Sequence, residues 1–218
     1  IVKFQDLETK EFIADSLIDV AEIIWLNDEQ LLYTVQEPKT NRTFQLKLHN
    51  LLASQKSDSL LYQEDDPKFQ VSAYKSQSKD YVYMTVSSTN TSEVHFMNLD
   101  SIEVGFKLVA ARDGNHRYSV SDYDHEFYIA SNKESVDFEV FKCDENSYKI
   151  DQWESFLKPK KESRLTSFVI FDNFFVMGEN EKMENRLKVI DRENGKSHYV
   201  KVKADLAAVG PSGNPKFD

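Results

Sequence analysis

The side chains best equipped for chemistry in this sequence are few and scattered. Three successive carboxylates, Glu64, Asp65 and Asp66, invite a metal-binding or acid–base reading, and five histidines (His49, His95, His116, His125 and His198) are candidate bases. A serine nucleophile on a strand-to-helix elbow needs Gly-x-Ser-x-Gly, because the flanking glycines permit the sharp turn that exposes its hydroxyl. The nearest approach is "GPSGNP", in which Gly210 and Ser212 match but Asn214 stands where the second glycine belongs. Ser212-Gly213 therefore reads as a turn. The histidines fall among turns and strands without a convincing serine and acidic partner. Distant residues can assemble a triad, but a missing elbow together with missing partners argues against nucleophilic catalysis in this segment.

Metal chemistry fares no better. "HEFYI" places Ile129 where a His-Glu-x-x-His helix would put its second ligand, and its pattern is that of a strand. "DRENGKSHY" lacks the alternating oxygen ligands and closing glutamate of a calcium loop. Cys143 ends the alternating run "FEVFKC" and reads as a small buried side chain rather than a nucleophile. The three carboxylates point to alternate sides if the segment is extended, so they do not readily converge on one ion. Pro67 disfavours helix at Asp66, which suits a link between strands. No catalytic residue, metal ligand or cofactor site is assigned, no cofactor is expected, and the substrate-contacting residues stay open.

The elements that would position any site are strands. Alternation recurs at Phe44, Leu46 and Leu48, at Tyr81 and Tyr83 opposite Val82 and Met84, at Val94 and Phe96, and at Val200 and Val202. Turn-forming stretches separate them: "DLETKE", "EPKTN", "ARDGN" and Asn194-Gly195, the last a strong hairpin signal. Two segments, "SLIDVAEIIWL" and "DQWESFL", have spacing that also suits short helices. A larger pattern lies above the strands. An apolar strand ending in an aromatic pair recurs after a polar turn, and Tyr33, Tyr83, Tyr128 and Phe175 occupy equivalent places at intervals of 45 to 50 residues.

A period near 45 with about four strands per unit fits an all-β propeller, whose blades cannot bury both faces alone and complete one another's cores. On this register complete blades run 15–63, 64–112, 113–157 and 158–204. Residues 1–14 form the end of a preceding blade and residues 205–218 the start of a following one. No Trp-Asp dipeptide closes a blade, and 6 glycines are too few for kelch-like repeats. A sandwich of short strands is the structural alternative.

Composition narrows the partners. A net charge of −10 over 218 residues argues against nucleic acid held by a dominant positive field. It suits short basic peptides, or simply solubility. The basic loop "KPKKESR" has no aromatic interleaving and reads as solvated surface. No apolar run approaches the ~20 residues needed to span a membrane, and no export signal opens the chain. One cysteine allows no internal disulfide, which suits a reducing compartment, so the expected location is the cytoplasm. In that setting Asn41-Arg42-Thr43 and Asn90-Thr91-Ser92 read as chance matches to the glycan acceptor pattern. The opening "IVKFQDLETK" lacks an initiator methionine and suggests a segment of something longer.

The stretch "YQEDDPKFQVSAYKSQSKDYVYMTVSSTNTSEVHFMNLD" closely resembles a blade junction of the oligopeptidase B family, serine peptidases of the prolyl oligopeptidase clan. The matching elements are Tyr62, Glu64, Asp66-Pro67, Phe69, Val71-Ser72, the turn from Lys75 to Lys79, the strand from Tyr81 to Val86, and Thr91-Ser92-Glu93-Val94. Further likeness lies in "FQDLETKEFIADSLIDVAEIIWLNDEQLLYTVQEP", in Ser131-Asn132 with Asp137-Phe138-Glu139-Val140, and in "NPKFD". The chain departs from the family at Leu165-Thr166, where Leu-Glu is expected, and in "VMGENEKMENRL", which lacks a Glu-Arg pair.

The resemblance implies a parent in which a seven-bladed propeller covers a C-terminal α/β-hydrolase catalytic domain, admits only short peptides and supports cleavage after lysine or arginine. Prolyl oligopeptidase proper, cleaving after proline, and a non-enzymatic interaction propeller are the alternatives. An incomplete ring leaves uncovered apolar faces and unpaired edges, so self-association is expected of the segment alone.

Overall fold

A computed structural model describes residues 1–201 and 210–211. Apart from Gly210 and Pro211, the expected blade start at 205–218, including Ser212-Gly213 and "NPKFD", lies outside the described residues, as does Val202. Strands β1 (Val2–Gln5) and β2 (Phe12–Leu17) pair in a two-stranded sheet. Four antiparallel meanders follow, each of four strands in chain order. The first is β3 (Val20–Trp25), β4 (Gln30–Gln36), β5 (Thr43–Asn50) and β6 (Ser59–Gln63). The second is β7 (Gln70–Lys75), β8 (Tyr81–Ser87), β9 (Ser92–Asn98) and β10 (Lys107–Ala110). The third is β11 (Tyr118–Tyr123), β12 (Glu126–Ser131), β13 (Glu139–Asp144) and β14 (Glu154–Leu157). The fourth is β15 (Ser163–Ile170), β16 (Phe174–Glu181), β17 (Glu184–Asp191) and β18 (Ser197–Tyr199).

The helical alternatives do not form. "SLIDVAEIIWL" contains the end of β2, a reversal at Asp19 (φ 57°) and β3, while "DQWESFL" contains the end of a short 3-10 turn (Ile150–Gln152) and β14. In the first case the helix-like spacing comes from the reversal and from a register shift between Val20 and Ile23. Val20, Ile23 and Ile24 are β-branched, and pairing with β4 decides in favour of strand. No helix among the described residues is long and apolar enough to cross a membrane.

The chain divides into two compact units, residues 1–75 with 79–111, and residues 76–78 with 112 onward. Within each unit, core clusters are shared between sheets. In the first, Ile24, Leu32 and Leu46 of one meander pack with Val71, Val82, Met84 and Met97 of the next. Phe4 and Leu17 of the β1–β2 hairpin pack on Leu31 and Tyr33. In the second unit, Tyr128 and Val140 meet Leu165, Phe175, Met177 and Ile190. Rings of Tyr128, Phe156, Phe168 and Phe175 there lie 5.2 to 6.0 Å apart, within the range of favourable aromatic contact.

The aromatic recurrence now has a structural meaning. Tyr33, Tyr83, Tyr128 and Phe175 each lie in the second strand of their sheet, at most 6% exposed. Turn chemistry follows the sequence as well, since Gly195 takes φ 70° between β17 and β18 and its amide donates to the Asp191 carbonyl. The departure at Thr166 coincides with a register shift between Leu165 and Ser167, opposite Gly178 on β16. A Cβ on Gly178 would lie 2.3 Å from Ser167 Oγ and 2.7 Å from Thr166 Oγ1, with the Ser167 nitrogen at 3.3 Å. Only glycine fits against this bulge without rearrangement.

Two substitutions test this packing by denaturant unfolding. Gly178→Ala is expected to destabilise by about 1–3 kcal/mol through overpacking. Leu46→Ala, which empties a fully buried position shared by two sheets, is expected to cost about 2–5 kcal/mol. An unchanged midpoint for either variant would contradict the corresponding contact.

Candidate functional site

The described residues hold several polar clusters, and the first of them accounts for the three carboxylates. Glu64, Asp65 and Asp66 link β6 to β7 and their side chains take three separate paths. Glu64 accepts from the Asp66 amide (2.8 Å) and from Tyr62 Oη (3.3 Å), Asp65 accepts from Gln63 Nε2 (2.7 Å), and Asp66 accepts from the Lys68 amide (3.0 Å). What converges on the link is a cation. Arg42, 8% exposed, donates to the carbonyls of Glu64 (2.6 Å), Asp66 (3.0 Å) and Phe69 (2.8 Å) and to the Glu37 carboxylate (2.5 Å). Its planar fork thereby satisfies carbonyls of an irregular segment that has no sheet partner.

A second cluster joins the β1–β2 hairpin to the first meander. His49 on β5 is fully buried, with Nε2 at 3.0 Å from Asp15 of β2 and Nδ1 at 2.8 Å from Asp58, just before β6. Tyr33 Oη donates to the other Asp58 oxygen (2.8 Å), the Leu52 amide donates to Asp15 (2.6 Å), and the Phe4 ring stacks on the imidazole. Ionised carboxylates only accept, so an imidazole between two of them bonds to both only as the doubly protonated cation. Burial opposes that charge, but the hydrogen bonds and negative charges of Asp15 and Asp58 outweigh it and hold His49 above its ordinary value. Lys3, Lys47, Lys56 and Asp19 line the adjoining depression together with Asp15.

A third cluster lies between β3 and β7, the first strands of neighbouring sheets. Glu22 accepts from Ser72 Oγ (2.7 Å), the Ala73 amide (2.9 Å) and Thr34 Oγ1 (3.3 Å). It lies on the wall of a depression of about 580 Å³.

The remaining candidates are dispersed. His116 Nε2 lies 2.9 Å from Ser131 Oγ, a serine neighbour that the sequence reading did not find. The register explains the proximity, because Tyr118, two residues beyond His116, pairs with Ser131 across the β11–β12 ladder. This pair does not resemble a nucleophile and its base. Ser131 is fully buried and accepts from the Lys133 amide, while His116 has no carboxylate hydrogen-bonded to it among the described residues. Burial holds the His116 pKa below its ordinary value.

His95 contacts Glu93, exposed His125 pairs with Glu145, and His198 is exposed on β18. Burial pushes the Cys143 thiol up to about 12, leaving little thiolate. In the "KPKKESR" loop, Lys158 pairs with Glu139 and Lys160 with Glu181, each at 2.8 Å. Among the described residues no group of three or more His, Cys, Asp or Glu is placed to hold a metal ion.

Four-stranded antiparallel meanders in succession, sharing cores with a neighbour within each unit and stapled by polar groups in the first, define a domain of β-propeller type. The chain matches the family "Prolyl oligopeptidase, N-terminal beta-propeller domain" over residues 1–216 and belongs to it. It is 25% identical over 218 residues to dipeptidyl aminopeptidase BI of Pseudoxanthomonas mexicana, covering 99% of this chain and 30% of that protein. Protease 2 of Moraxella lacunata is 27% identical over 145 residues, 65% of this chain and 21% of that protein.

Among solved structures, oligopeptidase B from Leishmania major superposes with a TM-score of 0.85 at 19% identity, covering 94% of this chain and 30% of that one. Oligopeptidase B from Trypanosoma brucei gives 0.79 at 18% identity, covering 89% and 29%. These structural likenesses establish the fold, and the chain spans less than a third of the length of these relatives.

The buried imidazole makes a pH-dependent prediction. A group whose pKa is raised on folding stabilises the fold fully below its unfolded value and loses that contribution as pH rises through the folded value. The His49 contribution should therefore be complete below the ordinary 6.5 and decline above it. Unfolding free energies of wild type and His49→Asn, measured between about pH 5 and 9, should converge as pH rises across the His49 titration. A difference independent of pH would rule out a charged imidazole in the fold.

Proposed function

We propose that this chain is the noncatalytic, substrate-gating propeller of a serine oligopeptidase that cleaves short peptides after lysine or arginine. In this reading an α/β-hydrolase domain of the same parent carries the chemistry. The observation that carries the proposal is the family match across residues 1–216, supported by the likeness to Protease 2 and to oligopeptidase B. The propeller contributes exclusion, since blades packed through shared cores resist deformation and keep folded chains away from the hydrolytic centre. The net charge of −10 adds attraction for basic peptides. A cytoplasmic location is part of the proposal and is in keeping with the single cysteine.

A second reading, release of dipeptides from peptide N-termini, is favoured by the likeness to dipeptidyl aminopeptidase BI across 99% of the chain. One assay separates the two. The full-length parent is given N-blocked peptides ending in Lys, Arg or Pro before a fluorogenic amide, an unblocked dipeptidyl amide, and a folded protein containing the same sites. Turnover of the blocked Lys and Arg substrates, with the folded protein left intact, is expected. Turnover of the unblocked dipeptide alone would favour the second reading, and cleavage only after proline would overturn both. The 218-residue chain by itself is expected to show no hydrolysis in the same assay.

A further inference from the structure

Glu22 does more than its place between two strands requires. It is half-buried, three donors from β4 and β7 fix its carboxylate, and it forms no ion pair among the described residues. Other carboxylates show both arrangements: Glu139 pairs with Lys158, and Asp15 and Asp58 share the one charge of His49, whereas buried Glu179, like Glu22, is held by neutral donors, the Lys160 amide and the Tyr199 hydroxyl. The Ala73 amide and the Ser72 and Thr34 hydroxyls are neutral donors, so they orient the negative charge of Glu22 without cancelling it. Each carboxylate oxygen has two lone-pair sites, and three donors leave acceptor capacity open.

That charge borders a depression of about 580 Å³, a size suited to a small ligand or a peptide side chain with its adjoining backbone. Apart from Val71 and Lys68, the other lining residues carry amides and hydroxyls, among them Gln36, Gln70, Ser87 and Ser88. Such groups complement peptide bonds and the hydrogens of a cationic head, whereas an anionic ligand would meet the carboxylate. Lys68 is the one cation on the wall, and it also makes no ion pair among the described residues. Lying on the same wall, its positive charge opposes an incoming cation without bonding to Glu22.

From this geometry we propose that the depression between β3 and β7 binds the cationic head of a peptide, an ammonium or guanidinium, with Glu22 as its anionic anchor. The oligopeptidase reading supplies the expectation that the ligand is a peptide. The cation site itself is tested without turnover, so either idea can fail alone. Charge-assisted hydrogen bonding to a preorganised carboxylate provides the attraction. Ser72 and Thr34 act as positioning residues that hold Glu22.

The test uses the 218-residue chain and NMR titration, with the Ala73 amide as reporter because it donates to Glu22. Three probes separate the sources of the cation: N-acetyl-lysine amide carries only a side-chain ammonium, glycine amide only an α-ammonium, and N-acetyl-norleucine amide neither. A saturable Ala73 shift with at least one cationic probe and none with norleucine is expected, and which probe binds identifies the source. Glu22→Gln should weaken binding about tenfold, the loss of about 1.4 kcal/mol of charge-assisted contact.

Glu22→Gln also disturbs the Ala73 contact, so Lys68→Ala supplies an independent arm that leaves the staple intact. It should strengthen binding about threefold by removing the opposing charge. Equal shifts with norleucine, no saturable shift with any probe, or an unchanged affinity in Lys68→Ala would each overturn the proposal and leave Glu22 as a strand staple.

Discussion

A small twisted sheet has two apolar faces and cannot bury both by itself, and the rest of this structure depends on that constraint. Each core cluster draws residues from neighbouring sheets: Leu32 and Leu46 need Val71 and Met84, and Tyr128 needs Phe175 and Met177. Stability therefore resides in interfaces between repeats as much as in the repeats themselves. Tyr33, Tyr128 and Phe175, each in the second strand of its meander, lie in such shared clusters, which accounts for their burial.

Apolar contact alone leaves the polar backbone at the junctions unsatisfied. Links such as residues 64–69 cross from one sheet to the next without a ladder partner, and unpaired carbonyls and amides are expensive to bury. The first unit meets this demand with charged side chains. Arg42 collects three carbonyls, Glu22 accepts an amide and two hydroxyls, and the Asp15–His49–Asp58 group ties the β1–β2 hairpin to the next sheet. These groups specify how neighbouring repeats meet, which apolar surfaces do only loosely. The same placement leaves Glu22 facing a depression with its charge uncompensated, so a structural staple coincides with a candidate binding group.

Much of the architecture was legible without coordinates. Alternating apolar residues marked the strands, the recurrence of Tyr33, Tyr83, Tyr128 and Phe175 marked the repeat, and Asn194-Gly195 marked a hairpin. The ambiguity at "SLIDVAEIIWL" arose because a reversal at Asp19 and a register shift reproduce helical spacing, and only pairing with β4 resolves it. The polar clusters were far less legible. Glu22 and Ser72 are separated by 50 residues, His49 and Asp15 by 34, and Arg42 and Asp66 by 24. His116 and Ser131 are nearer in sequence, but their contact depends on the β11–β12 register.

The sequence by itself determined the strands, their repeat and the family, because these depend on local alternation, turn residues and short motifs that a linear reading preserves. It also indicated that Glu64, Asp65 and Asp66 form a link, since successive extended residues diverge. The tertiary structure alone decided which charges are neutralised and which are left open. That outcome depends on distances between side chains brought together by neighbouring sheets, and no local pattern encodes whether a carboxylate such as Glu22 or Glu139 will find a cation when the sheets close.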